Sequence, residues 1–101
     1  MDEQLIRFRI RLGLRIKQLR LSINLEQSAL ASILERDKQF INRYELEGAN
    51  PTADILVKLV RALGTTFDNL FDFSKISEKE VETIFAKLQK KSTDKKINKE
   101  H

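Results

Sequence analysis

Residues 27–45 have the sequence QSALASILERDKQFINRYE, which predicts two short helices joined by a tight turn. The first helix has three apolar residues on its inner face, Leu30, Ala31 and Leu34. Glu35 and Arg36 form the turn, and Asp37 can accept a hydrogen bond from the free backbone N–H groups that follow it. The second helix is polar apart from Phe40, Ile41 and Tyr44. Most of its surface is therefore available to a partner.

Two further helices are predicted directly downstream. After the loop at residues 48–51 (GANP), Thr52 caps a helix that ends at Gly64. The inward residues of this helix are Ile55, Leu56, Leu59, Val60 and Leu63. Thr66 caps a short helix that ends near Phe71.

A last helix is predicted to start at a capping box, in which Ser77 and Glu80 have the Ser-x-x-Glu spacing. Its inner face is formed by Val81, Ile84, Phe85 and Leu88. The residues from Lys90 onward are charged and without pattern, so they are expected to be disordered. No segment of the chain predicts a firm strand, and the fold class is therefore all-α.

Two interpretations compete at residues 5–16. Apolar residues alternate there with arginine and glycine, as in a half-buried strand. A stripe spaced by three and four residues also fits, and it continues through residues 17–20, where the alternation fails. We therefore interpret the segment as a helix, with a first apolar stripe of Leu5, Phe8, Leu12, Ile16 and Leu19. Roughly opposite lies a second stripe of Ile6, Ile10, Leu14 and Leu21.

The composition of the 101 residues excludes several classes of protein. There is no cysteine and the single histidine is His101, which excludes disulfides, thiolate metal sites and most catalytic constellations. No enzyme activity, cofactor or metal is therefore expected. The chain has no apolar run near the ~20 residues of a membrane span and no signal-peptide pattern. We expect a soluble, cytoplasmic protein that does not enter a membrane.

The net charge of +4 favours a polyanionic partner such as nucleic acid. The basic excess lies at the two ends of the chain, and residues 26–50 are acidic overall. The first helix carries Arg7, Arg9, Arg11 and Arg15. This set is equally compatible with a phosphate-binding face and with an ordinary solvated surface.

The order of these elements resembles the phage-repressor-like helix-turn-helix family, also called the xenobiotic-response-element or Cro/CI type. The resemblance covers residues 12–71 and is carried by five pieces, Gly13-Leu-Arg-Ile-Lys-Gln-Leu-Arg20, Gln27-x-x-Leu30-Ala31, Ile41-Asn-Arg-Tyr-Glu45, Asn50-Pro51-Thr52 and Leu56-x-x-Leu59-x-x-x-Leu63-Gly64-x-x-Phe67-Asp68-x-Leu70-Phe71. It implies a lambda-repressor-like DNA-binding domain of five helices at residues 1–73. An additional helix at residues 74–91, for docking or dimerisation, and a disordered basic tail at residues 92–101 would follow.

The resemblance implies a transcriptional regulator that binds a palindromic operator in double-stranded DNA as a homodimer. Residues 37–46 would be the recognition helix in the major groove. Lys38 and Arg43 can donate to guanine O6 and N7, while Gln39 and Asn42 can bond adenine through N6 and N7. Their spacing places all four within reach of one outer face.

Other positions match the family outside the base-reading face. Gln27 matches a position that contacts a phosphate, and we expect Arg36 and Asn50 to contact phosphates as well. Arg20 and Glu45 match two positions that commonly pair between the first and third helices. We therefore expect these two side chains to form an ion pair.

Several positions depart from the family's pattern. Glu35 stands where the turn usually has glycine and Arg36 where it has an apolar residue, so a strained or differently wound turn is expected. Glu26 replaces the usual Ser or Thr cap, and residues 48–50 contain no Lys or Arg. The motif segment is therefore acidic, which leaves open an alternative, an antitoxin-like module that binds a protein through the same scaffold.

A minimal helix-turn-helix needs neither the second stripe of the first helix nor the additional C-terminal helix. The stripe of Ile6, Ile10 and Leu14 has a spacing similar to that of Val81, Ile84, Phe85 and Leu88. The two sets can meet within one subunit or across a two-fold axis. We favour contacts that include a dimer partner, because one short recognition helix reads too few bases for tight operator binding.

Overall fold

The chain folds into six helices over the range that the structure describes. In the computed structural model this range is residues 2–99 for the backbone and residues 2–93 for the side chains. The helices are α1 (Glu3–Ser22), α2 (Gln27–Ile33), α3 (Lys38–Glu47), α4 (Ala53–Ala62), α5 (Phe67–Leu70) and α6 (Glu78–Lys99). Residues 2–99 contain no strand. The predicted all-α fold, five helices with an additional C-terminal helix, is confirmed.

The helix starts are set by short polar side chains, as predicted. Each cap accepts a hydrogen bond from the backbone N–H three residues on: Asp37 Oδ1 from Phe40 at 3.0 Å, Thr52 Oγ1 from Ile55 at 3.2 Å, Thr66 Oγ1 from Asn69 at 3.1 Å and Ser77 Oγ from Glu80 at 3.2 Å. Glu26, the residue before α2, makes no such bond. Its role as a poor cap is therefore confirmed, and α2 begins without a side-chain cap.

Three helices end at a residue in the left-handed region, Asn24 (φ 54°), Glu35 (φ 57°) and Gly64 (φ 62°). After α2, the N–H of Glu35 donates to the carbonyl of Ser32 at 3.0 Å and the N–H of Arg36 to that of Ala31 at 2.8 Å. This pair of bonds is the Schellman ending of a helix, which favours glycine at the left-handed position. The strain expected at Glu35 is thus present, since a side chain there costs about 1–2 kcal/mol.

Helix α1 runs unbroken through the ambiguous segment, so the strand interpretation is wrong. Its first stripe enters the main core, where Leu12 and Ile16 are buried. This core also contains Leu30, Ala31, Leu34, Ile41, Tyr44, Ala49, Ile55, Leu59, Leu63 and Leu70. At Gly13 a Cβ atom would overlap the carbonyl of Tyr44, so only glycine allows α1 and α3 to pack this closely.

The second stripe of α1 is covered by α6 of the same chain at Ile6, Ile10 and Leu14, whereas Leu21 remains exposed. These two helices form a second core of Ile10, Leu14, Ile76, Val81 and Phe85, with Ile6, Phe73, Ile84 and Leu88 packed around it. Ile10 is 1% exposed and Val81 is fully buried. The two sets therefore meet within one subunit, which is one of the two arrangements that the sequence leaves open, and a further contact with a dimer partner stays a prediction.

Helix α6 runs antiparallel to α1 and is held against it by ion pairs with arginines of α1. Arg7 Nε donates to Glu82 Oε1 at 2.8 Å, and Arg11 Nη2 donates to Glu78 Oε1 at 2.6 Å. These hydrogen bonds lower the pKa of Glu82 and Glu78 below the ordinary value of a glutamate. Arg15 is buried and donates to both the main chain and a side chain of α5. Arg7, Arg11 and Arg15 are thus bound within the chain, so neither a phosphate-binding face nor an ordinary solvated surface describes these three side chains.

The bounds of the additional helix differ from the prediction. Residues 74–77 precede the helix, which begins at Glu78, and its backbone continues to Lys99. The predicted disordered tail at residues 92–101 is therefore helical over residues 92–99, and residues 100–101 lie outside the described range. Residues 90–99 contain no glycine or proline, and lysines lose little side-chain freedom in a helix, so this segment is compatible with a helix.

Candidate nucleic-acid interface

Helix α3 is held by its inner face and leaves its outer face in solvent. Ile41, Tyr44 and Glu45 are buried, whereas Lys38, Gln39 and Arg43 are exposed and Asn42 is half-buried. Within the described residues, the side chains of Lys38, Gln39 and Arg43 make no hydrogen bond or ion pair. Three of the four predicted base-reading side chains are therefore unoccupied donors on one rigid helix.

Arg20 and Glu45 form the pair that the resemblance implies. Arg20 Nε donates to Glu45 Oε2 at 2.7 Å and Nη2 to Oε1 at 2.9 Å, which is a two-pronged geometry. The Arg20 side chain is 8% exposed and that of Glu45 2%. Arg20 also donates to the carbonyl of Leu25 at 2.7 Å, and its pKa is raised, chiefly by the bond to Glu45. The pair ties α3 to the end of α1.

Gln27 connects the Arg20–Glu45 pair to the outer face of α3 through its side-chain amide. Its Nε2 donates to Glu45 Oε1 at 2.9 Å and lies 3.4 Å from Asn42 Oδ1. One amide at the start of α2 thereby joins the buried ion pair to a predicted base-reading residue. Since both amide hydrogens face protein acceptors, a phosphate contact by Gln27 requires one of these bonds to be exchanged.

The other two predicted phosphate-binding residues lie at opposite ends of α3. Arg36 is exposed in the turn before α3, with its guanidinium carbon 5.4 Å from the centre of the Phe40 ring. Asn50 is exposed in the loop after α3, where it lines one shallow depression together with Arg43. The structure therefore places Asn50 beside the predicted base-reading residue Arg43 and Arg36 over the first turn of the helix.

Sequence reasoning missed two residues that the structure brings to α3. Lys87 and Lys91 of α6 line the same depression as Asn42 and Arg43, and Lys91 Nζ is 3.0 Å from Glu47 Oε1. The sequence pattern puts Lys91 in the charge-rich end of the chain, although both lysines continue the helical spacing of the partly buried residues Ile84 and Leu88. That spacing is the signal that places them on a docked helix.

Two other kinds of site are absent from the described residues. No group of His, Cys, Asp or Glu side chains among them is arranged to hold a metal ion. None of the helices described for residues 2–99 combines the length and the apolar character that crossing a bilayer requires.

Comparison with known proteins identifies the family. No curated protein and no solved structure matches the chain significantly. A family model described as "Helix-turn-helix" matches residues 16–70, from the middle of α1 to the end of α5 and more than half of the chain. The match includes α2, the turn at Glu35 and α3, whose geometry is described above. The chain therefore belongs to the helix-turn-helix family of the xenobiotic-response-element (Cro/CI) type, whose members are DNA-binding regulators.

Proposed function

We propose that this protein is a sequence-specific transcriptional regulator that binds a palindromic operator as a homodimer, with α3 in the major groove. The proposal rests on the difference between the inner and outer faces of α3. The inner face of this helix is locked by the core and by the Arg20–Glu45 pair, while Lys38, Gln39 and Arg43 are exposed and unpaired within the described residues. Donors that need not break internal bonds can bind base edges at lower cost.

The base-reading residues share a limited arc of α3. With about 100° between successive residues, positions 38, 39, 42 and 43 fall within about 140° of the helix circumference. An α-helix of this diameter fits the major groove, where each base pair shows a distinct pattern of donors and acceptors. Lys38 and Arg43 supply donors for guanine, and Gln39 and Asn42 supply paired donor and acceptor groups for adenine.

Gln27, Arg36 and Asn50 are proposed to hold the DNA backbone around this face. Phosphate contacts fix the position of the protein on the duplex, whereas base contacts distinguish sequences. For Gln27 the two roles can be separated by experiment. Gln27→Ala weakens all duplexes alike if the amide binds phosphate, and it alters the preference at one base pair if the amide acts by orienting Asn42.

Selecting bound sequences from a pool of random duplexes tests the proposal directly. Once a preferred site is known, Arg43→Ala is expected to weaken binding to it by about 1–3 kcal/mol and to relax one base position. Arg61→Ala, which removes an exposed arginine from α4, is the matched control and keeps the preference. A loss in Arg43→Ala that is equal on selected and random duplexes contradicts the base-reading role.

A second candidate function is an antitoxin-like module that binds another protein through the same scaffold. Leu46 favours it, because this leucine is 55% exposed and lies on the outer face of α3 near Gln39 and Arg43. The acidic balance of residues 26–50 favours it as well. Binding to the random duplex pool that weakens steeply with salt supports DNA binding, and a complete lack of binding supports the protein-binding alternative.

A further inference from the structure

The middle of α6, at residues 87–91, lies against the C-terminal half of α3. The two helices are joined by the ion pair of Lys91 Nζ with Glu47 Oε1 at 3.0 Å, and they form the walls of one surface depression. Helix α3 contributes Asn42, Arg43, Leu46 and Glu47 to it, and α6 contributes Lys87, Leu88 and Lys91. The lysines of α6 are therefore next to two of the proposed base-reading residues.

The position of these lysines is fixed by packing upstream in the same helix. Val81 and Phe85 are buried against α1, and the Arg7–Glu82 and Arg11–Glu78 pairs hold the first turns of α6. Because α6 continues without a break, its next two turns reach the end of α3, where Lys91 meets Glu47. Lys87 and Lys91 thus stand on a docked helix and have little freedom to move away.

The charges around this depression favour an anionic partner. Its lining contains three cations, Arg43, Lys87 and Lys91, and one carboxylate, Glu47. Lys87 has no hydrogen-bonding or ionic partner among the described residues, and the side chain of Lys91 remains 61% exposed beside Glu47. The net charge around this depression is therefore positive, although residues 26–50 are acidic overall, because α6 contributes two lysines.

The geometry of DNA identifies the anion. The major groove is about 12 Å wide, and one α-helix with its side chains is about 10–12 Å across, so α3 alone fills the groove. An element packed alongside α3 cannot enter the same groove and instead meets the row of phosphates at its edge. The loop after α3 has no Lys or Arg at residues 48–50, so the protein lacks cations there that could neutralise the backbone.

We infer that Lys87 and Lys91 of α6 form a second DNA contact that binds backbone phosphates beside the groove entered by α3. This inference rests on the proposed function and adds an element from outside the helix-turn-helix to the interface. In the complex Lys91 lies between Glu47 and a phosphate, so it also offsets the repulsion between that carboxylate and the DNA. The contact is independent of sequence, because phosphates are the same at every base pair.

The test is the salt dependence of binding to a pool of random-sequence duplexes. We compare the full-length wild type, the Lys87→Gln/Lys91→Gln variant and a control variant, Lys75→Gln/Lys79→Gln. The control changes the net charge equally, and its positions lie about 18 Å or more before Lys91 along α6 and the loop preceding it, on a helical rise of 1.5 Å per residue. Affinity is measured between about 50 and 200 mM salt, where each phosphate contact contributes about 0.9 to the logarithmic slope.

For the Lys87→Gln/Lys91→Gln variant, the logarithmic slope of DNA affinity against salt is expected to be smaller by about two. The affinity advantage of the wild type over this variant should therefore shrink about tenfold between about 50 and 200 mM salt. The single variant Lys87→Gln, which breaks no bond within the described residues, is expected to lose about half of that difference. Equal slopes in the wild type and in both lysine variants overturn this inference and leave the proposed function standing. A wild type that binds no duplex at all overturns both.

Discussion

At the scale of single residues, the buried pair of Arg20 and Glu45 holds α3 against the end of α1. Removing one partner strands the other charge in a site that is almost closed to water, which costs about 3–5 kcal/mol. We expect Arg20→Gln and Glu45→Gln each to lower the free energy of unfolding in urea by this amount, and the double variant to lose much less than their sum. Zero coupling between the two positions contradicts the pair.

Glu47→Gln is the matched control for this cycle, since it removes a carboxylate from the same helix. Its partner Lys91 is well exposed, and pairs of this kind contribute about 0–1 kcal/mol. The control should therefore unfold at nearly the wild-type urea concentration.

Glu35 has a backbone conformation that a glutamate disfavours. It occupies the left-handed position after α2, where glycine avoids the clash of Cβ with the backbone. Glu35→Gly is expected to raise the free energy of unfolding by about 1 kcal/mol. Asn24→Gly, at the equivalent position after α1, is the control and gains less, because asparagine tolerates this region. A Glu35→Gly protein that is less stable than the wild type contradicts the strain.

At the scale of elements, the docking of α6 on α1 depends on two carboxylates that arginines hold below their ordinary pKa. A lowered folded pKa makes the stabilisation complete above the ordinary value of 4.5 and removes it as the pH falls through the lower folded values. The urea midpoint of the wild type should therefore fall more steeply below pH 4.5 than that of Glu78→Gln/Glu82→Gln. Glu80→Gln, between them on α6, should keep the wild-type slope. Identical pH profiles in all three would show that these pairs do not stabilise the folded state.

At the scale of the whole molecule, the covered stripe of α1 changes where a dimer can form. Ile10 and Leu14 of the stripe are buried by α6, so these two residues are closed to a dimer partner in the folded subunit. Sedimentation of the wild type with its selected operator is expected to show two chains on each duplex, since two half-sites one helical turn apart need two recognition helices. One chain per duplex at saturation contradicts the homodimer.

The Ile10→Glu variant distinguishes docking of this stripe within the subunit from its use in a dimer interface. Because Ile10 is buried between α1 and α6, the charge is expected to lower the stability of the isolated subunit rather than to dissociate a dimer. If the Ile10→Glu protein keeps its stability and sediments as a smaller species, the stripe lies in a subunit interface instead.

The sequence by itself determined the elements whose causes are local. Caps at Asp37, Thr52 and Ser77 act over three residues, and helical spacing over a few turns separates α1 from a strand, so both can be predicted without tertiary contacts. The proposed base-reading face of α3 can be predicted in the same way, since four positions on one helix share a face whatever surrounds them. The pairing of Arg20 with Glu45 was available only through resemblance to a family.

The tertiary structure alone decided how distant segments meet. Two matching apolar stripes fit equally well within a chain and across a two-fold axis, because hydrophobic contact has no direction, and only the path of the chain places α6 on its own α1. The same path brings Lys87 to the side of Arg43 and sets Gln27 between Glu45 and Asn42. These contacts join residues far apart in sequence, and their energies depend on a geometry that no local pattern encodes.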